Sequence, residues 1–130
     1  MTPSRWSYFY LEELKCRCGE CQSTGDEMDN QFMQQMVMIR QKVGVLTVNS
    51  AYRCPQHNNK VSKTGFHGAH TLGKAMDVAA RGVQALAVLK EALLLNISGF
   101  GVQQKGDGRI IHLDNCTPSD GFPRPDIWSY

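Results

Sequence analysis

Apolar residues recur every three or four positions at Phe32, Met36, Ile39 and Val43, with mostly polar residues between them. That period marks one face of an α-helix. Asp29 stands where a side-chain oxygen can cap the first free backbone N–H groups, and Gly44 stands where a helix C-terminus turns off. A helix is therefore predicted from Asp29 to about Val43, with Met33, Met36 and Met38 as core and helix filler. Val45 to Val48 is a short β-prone run. From Ser50 to Thr71 the chain is polar and loop-like, rich in Asn, Lys, His and Gly. Ala75 to Ala79 reads as a strand. Gly82 opens a second helix, apolar at Val83, Leu86, Leu89, Leu93 and Leu94 and ending near Asn96. Gly99 to Gln103 and Arg109 to Leu113 are further β-prone runs, and Lys105-Gly106-Asp107-Gly108 between them suits a hairpin turn. Residues 1–28 show neither period and carry breakers at Cys18-Gly19 and Thr24-Gly25-Asp26, so they are expected to be irregular. The order of elements predicts an α+β fold, a small and largely antiparallel sheet with flanking helices. No repeat, low-complexity tract or linker interrupts it, and residues 1–130 are expected to form a single domain.

Composition narrows this picture without redirecting it. The 130 residues are 42% hydrophobic and 20% charged, an ordinary globular mixture in a chain long enough to bury a core without covalent staples. A net charge of +2 is too weakly basic to point to nucleic acid, though it is compatible with an anionic polymer. No apolar run approaches the roughly 20 residues of a membrane helix. Met1 to Tyr8 has no uninterrupted apolar stretch ahead of Glu12 and Glu13, so it does not read as a signal peptide and synthesis in the cytoplasm is expected. The five cysteines are Cys16, Cys18, Cys21, Cys54 and Cys116. An odd number in such a chain argues against a complete disulfide framework. Cys16, Cys18 and Cys21 with a distant Cys54 offer four thiolates for a structural zinc, a loose match to the usual spacing. Disulfides formed after release from the cell, to Cys54 or Cys116 for example, and free thiols remain open as well. No cysteine has a recognisable histidine-paired context for nucleophilic catalysis.

The segment Gly68-Ala69-His70-Thr71-Leu72-Gly73-Lys74-Ala75-Met76-Asp77-Val78 is the most informative. Asp77 lies in a strand of small and apolar neighbours, where a carboxylate is costly unless paired or bound to a metal. In Ile110-Ile111-His112-Leu113-Asp114, strand alternation puts His112 and Asp114 on one face. Two imidazoles and one carboxylate would give zinc three protein ligands and leave a position for water, as in catalytic sites. Taken singly, each residue also has a plain reading as a hydrogen-bonded structural group.

His70, Gly73, Ala75 and Asp77 match the S-x-H-x-x-G-x-A-x-D signature of the zinc D-Ala-D-Ala carboxypeptidase family. His112 with Asp114 resembles the late H-x-D of its phage and periplasmic branches, and Ser50-Ala51-Tyr52-Arg53-Cys54-Pro55-Gln56-His57-Asn58 resembles the S-G-Y-R-x-P-x-x-N segment that precedes the signature. The resemblance covers about residues 10 to 128. It implies the fold shared with the hedgehog signalling domain, His70, Asp77 and His112 as zinc ligands, and Arg53 facing a substrate carboxylate or carbonyl. It also implies activity on peptidoglycan stem or cross-link peptides, as an endolysin-like endopeptidase or a D,D-carboxypeptidase.

Two positions depart from the pattern. The signature serine is Gly68, and the acidic residue that many relatives place three positions before the last histidine is Arg109. Asp114 is the first choice for general base, with a role in orienting a ligand histidine as its alternative; Asp107, between two glycines, fits a solvated turn. His67 is a candidate donor to a developing oxyanion or else a surface histidine, and His57 is read as a surface residue. Arg53 suits either substrate or a structural ion pair. Trp128 suits either the wall of the cleft, stacked on sugar or peptide, or a hydrophobic latch for the tail. Zinc at such a site acidifies a bound water to a pKa near roughly 7 and polarises the scissile carbonyl. The expected partner is a peptidoglycan peptide, reached after release from the cell through a holin-type partner or from within a virion, by a monomer with no nucleic acid and no membrane insertion. The alternative is a zinc-containing module of the same fold that binds without turnover, and the missing acid at position 109 supports it.

Overall fold

The computed structural model describes residues 1–130. Helix α1 (Leu11–Leu14) is followed by α2 (Asn30–Val43), β1 (Thr47–Ser50), α3 (Pro55–Val61), β2 (Ala75–Ala79), α4 (Gly82–Leu94), β3 (Gly99–Gln103), β4 (Ile110–Asp114) and β5 (Asp126–Ser129). The five strands form one sheet in the order β1-β2-β4-β3-β5. Every pairing is antiparallel except β3 with β5, which is parallel. The chain thus has the expected α+β architecture with a largely antiparallel sheet.

Alternation along the strands divides the sheet into two faces. Val48, Met76, Val78, Phe100, Ile111 and Leu113 share a core with Phe32, Met33, Met36 and Ile39 of α2 and with Ala85, Val88 and Ala92 of α4. α2 begins as expected, because the Asp29 carboxylate accepts the Phe32 N–H at 2.9 Å. The opposite face carries Asp77, His112 and Asp114 at the centre.

Several local expectations are corrected. The stretch from Ser50 to Thr71 contains α3 and a 3-10 turn, Ala69–Leu72. α3 is started by Cys54, whose sulfur accepts the His57 N–H, and by Pro55 in the first turn. Its residues are polar almost throughout, so no apolar period announces it. α4 turns a different stripe inward: Ala85, Val88 and Ala92 are buried, whereas Val83, Leu86, Leu93 and Leu94 are exposed. Alanines let a helix approach the sheet closely, and that packing outweighs the larger apolar residues on the other side. β1 begins at Thr47, leaving Val45 exposed. Within residues 1–28 there is one short helix, α1. β5 has no alternating core face, since only Trp128 among its residues is even partly covered, and the sequence signal for it is correspondingly absent.

Candidate active site

On the face turned away from α2 and α4, β2 and β4 place Asp77 directly opposite His112 and Ala75 opposite Asp114. Cross-strand partners hold their Cβ atoms about 5 Å apart, so one register brings together residues separated by 35 positions. His70 arrives from the 3-10 turn Ala69–Leu72. Gly73 ends that turn with φ of 69°, and a methyl there would lie 2.5 Å from the Glu27 carbonyl oxygen. Only glycine passes the chain from His70 into β2 at this approach.

The ligand geometry is specific. His70 Nδ1–H donates to the Ala51 carbonyl at 2.6 Å, which leaves Nε2 free, 3.3 Å from Asp77 Oδ2. His112 Nδ1 lies 2.9 Å from Asp77 Oδ1. The three donor atoms fall within 4.8 Å of one another. Ligands at the zinc–nitrogen and zinc–oxygen lengths of about 2.0–2.1 Å stand about 3.3 Å apart around a tetrahedral ion. The donor set therefore fits zinc with three protein ligands and a fourth position towards the cleft. All three residues are buried. Burial pushes the Asp77 carboxyl up, but His70 and His112 beside it outweigh that and hold it well below the usual carboxylate range. Burial lowers His70. It acts the same way on His112, yet the carboxylates of Asp114 and Asp77 raise that histidine overall.

Asp114 is fully buried. Its Oδ2 accepts from His112 Nε2 at 2.7 Å and from Arg124 Nη2 at 2.8 Å. Its Oδ1 accepts from Arg124 Nε at 2.9 Å and from the Cys116 N–H at 3.2 Å. Burial acts to raise this carboxyl as well, and the bonds from His112 and Arg124 overcome it and keep it ionised. Both oxygens are occupied by protein donors, and the residue does not line the cleft. Of the two roles open to Asp114 from sequence, general base or orienting partner, this geometry favours a residue that orients His112. Gly99, its neighbour on β3, has no side chain because a methyl there would collide with the Asp114 carboxylate.

The cleft over this face has a volume of ≈ 690 Å³ and is lined by His70, Asp77, His112, Arg53, Trp128 and Tyr130 among others. Asp77 is the only carboxylate on its walls. Arg53 is held by three acceptors: Asp77 Oδ2 at 3.3 Å, Ser50 Oγ at 3.1 Å and Asn58 Oδ1 at 3.1 Å. It is thus both an ion-pair partner and part of the cleft wall. Trp128 stands beside His112, ring centres 5.1 Å apart, and takes the wall position. Room for it comes from Gly101, where a Cβ would lie 2.6 Å from Trp128 Nε1 and 2.8 Å from the Tyr130 hydroxyl.

Other candidates fall outside. His67 is exposed, stacks on Phe122 at 5.2 Å and donates from Nε2 to the Asp120 carbonyl at 2.8 Å. It is not among the residues that line the cleft, which favours the surface histidine of the two roles read from sequence. Arg109 and Asp107 belong to the β3–β4 connection, where Arg109 Nε donates to the Gly106 carbonyl. His57 sits partly covered beside Cys54 and Cys18, away from the ligands. At Gly68 a Cβ would collide with the Thr64 hydroxyl oxygen, so threonine oxygen fills the volume that the signature serine would need. Cys116 packs with Ala69 and Ala75, apart from the other four cysteines. Arg124 and Tyr130 went unnoticed in the sequence. Nothing in the spacing of Phe122-Pro123-Arg124-Pro125 marks a buried guanidinium, and Tyr130 joins the site only through β5.

Comparison with known families agrees with this geometry. The family model described as Peptidase M15 matches residues 7–114, a span that includes His70, Asp77, His112 and Asp114 and stops short of Arg124, Trp128 and Tyr130. A search of curated proteins and a search of solved structures each returned no match. With a zinc-compatible site inside a match spanning most of its length, the chain belongs to the Peptidase M15 family of zinc metallopeptidases.

Proposed function

We propose that this peptidase hydrolyses peptide bonds in the stem or cross-link peptides of bacterial peptidoglycan, with zinc held by His70, Asp77 and His112. The observation that carries the reading is a buried three-ligand set opening on one side into a cleft of ≈ 690 Å³. Zinc bound there supplies Lewis-acid polarisation of a carbonyl and lowers the pKa of water. The chain's own residues do the rest. Ala51 turns His70 so that Nε2 faces the cleft, and Asp114 holds His112 by Nε2 so that Nδ1 does the same. Arg53 and Tyr130 are the donors on the wall suited to a carbonyl oxygen that gains charge. Trp128 and Phe122 supply apolar wall and exclude water, and Lys63 adds a cation that suits the carboxylates of stem peptides. Access to the wall through a membrane-permeabilising partner belongs to the same proposal; no helix of the chain is long and apolar enough to cross a membrane.

One observation favours a second reading, a zinc-containing module that binds without turnover: no carboxylate other than Asp77 faces the cleft. Digestion of purified peptidoglycan, read by mass spectrometry, separates the two. Wild type, His70→Ala and chelator-treated protein are compared. New peptide termini from wild type alone, restored when zinc is returned after chelation, are expected, and their masses name the bond. Stoichiometric zinc binding with no fragment from any wall chemotype would leave the binding module standing instead.

A further inference from the structure

The Cys16–Cys21 segment and Cys54 form a second centre that the peptidase reading does not use. Cys16, Cys18, Cys21 and Cys54 place their four sulfurs within 4.8 Å of one another, although Cys54 lies more than thirty positions along the chain. The thiols are free, and Cys18 Sγ stands 3.9 Å from Cys54 Sγ. That is far longer than the 2.05 Å of a disulfide. It is close to the separation of about 3.8 Å that two thiolates take on a tetrahedral zinc with bonds of about 2.3 Å.

Backbone N–H groups point at the sulfurs. The Cys54 N–H donates to Cys16 Sγ at 3.3 Å. The Glu20 and Cys21 N–H groups both donate to Cys18 Sγ at 3.4 Å, and the His57 N–H donates to Cys54 Sγ at 3.4 Å. Such donors stabilise negative sulfur, and thiolates gathered this closely repel unless a cation lies among them. A turn that aims two successive N–H groups at one cysteine, as Glu20 and Cys21 do, gives Cys18 a rigid orientation. Cys54 is fixed as the N-cap of α3. Three thiols that accept backbone N–H groups, on two separate segments and joined by Cys21, make a built donor set rather than chance burial of apolar sulfur.

We infer that Cys16, Cys18, Cys21 and Cys54 bind one zinc ion as a tetrathiolate, distinct from the ion of the peptidase site. All four positions are taken by protein, so the site is structural and has no opening for water. The thiol protons leave as the metal enters. The ion fastens the segment 16–21 to the start of α3, next to Arg53, whose guanidinium reaches Asp77. Tyr52 N–H already donates to the Leu14 carbonyl in the same place at 3.0 Å, so the metal closes a junction between the N-terminal segment and the wall of the cleft. This inference is independent of which bond, if any, the peptidase site cuts.

Metal counting on the full chain tests it. Elemental analysis should find two zinc ions per wild-type chain, one in His70→Ala, and one in the Cys18→Ser/Cys21→Ser double variant. Replacement of zinc by cobalt(II) should give a near-ultraviolet sulfur-to-cobalt charge-transfer band and intense visible bands, in wild type and in His70→Ala alike. The wild-type spectrum needs no substitution, so the test stands even where a serine variant fails to fold. A His70→Ala chain that holds no zinc, a cobalt spectrum without the charge-transfer band, or a disulfide among these four cysteines in metal-loaded protein would each overturn the inference. The charge-transfer band and the oxidation state of these four cysteines do not depend on whether His70, Asp77 and His112 carry the peptidase ion.

Discussion

Gly68 and Thr64 trade volume at the edge of the site. A side chain at position 68 would displace the Thr64 oxygen that accepts from Asn58 Nδ2 at 2.8 Å. Restoring the signature serine alone should therefore overpack the turn and lower stability by about 1–3 kcal/mol in urea unfolding. Thr64→Ala alone should cost about 1 kcal/mol through the lost acceptor. The double variant should cost less than the sum, because the new hydroxyl enters space that the threonine has left. An additive result would mean that the two positions do not share that volume. Asp114 makes a separate claim at this scale. Asp114→Asn keeps its shape but weakens the hold on His112, and zinc affinity at the peptidase site should fall about 10–100-fold by chelator competition. The ligands themselves were legible from sequence because His70, Asp77 and His112 sit at motif spacings. The part played by Asp114 was only half legible, since its partner Arg124 lies ten positions on in a proline-rich turn and nothing local ties the two together.

At the scale of elements, α2 and α4 show what periodicity can and cannot say. α2 has one apolar stripe, with a cap at each end, and it buries that stripe as expected. α4 is apolar nearly all round, at Val83, Leu86, Val88, Leu89, Leu93 and Leu94 among others, so its pattern does not choose a face. The choice is made by Ala85, Val88 and Ala92 against the sheet. Leu86→Gln should consequently change stability by no more than about 0.5 kcal/mol, whereas Val88→Ala should cost about 2 kcal/mol through lost burial and a residual cavity. Equal costs in thermal melts would mean that the helix is rotated from the position described. α3 and β5 escaped the sequence for another reason. A polar seven-residue helix and a four-residue edge strand bury too little to leave a period, and each is held by contacts from distant segments: Cys54 with Cys16, and β5 with β3.

For the whole molecule, metal and fold are linked by mass action. Zinc that binds the folded chain and not the unfolded one should add about 2.7 kcal/mol of stability at a free concentration one hundred times the dissociation constant of a site. Melting of wild type should rise with added zinc, and His70→Ala should lose the increment that belongs to the peptidase site; a melt insensitive to zinc in both chains would mean that the ion does not bind the native state.

The strand order β1-β2-β4-β3-β5 also sets how different parts of the cleft breathe. Asp77 and His112 belong to β2 and β4, each flanked by hydrogen-bonded neighbours on both sides. Trp128 rides on β5, which has a partner on one side only. Backbone amides in β2 and β4 should thus give up their protons to deuterated solvent slowly, and those of Asp126 to Ser129 much sooner. On that expectation the floor of the cleft should keep its shape while its rim opens and recloses, so the width of the cleft should vary without the metal-binding residues having to move.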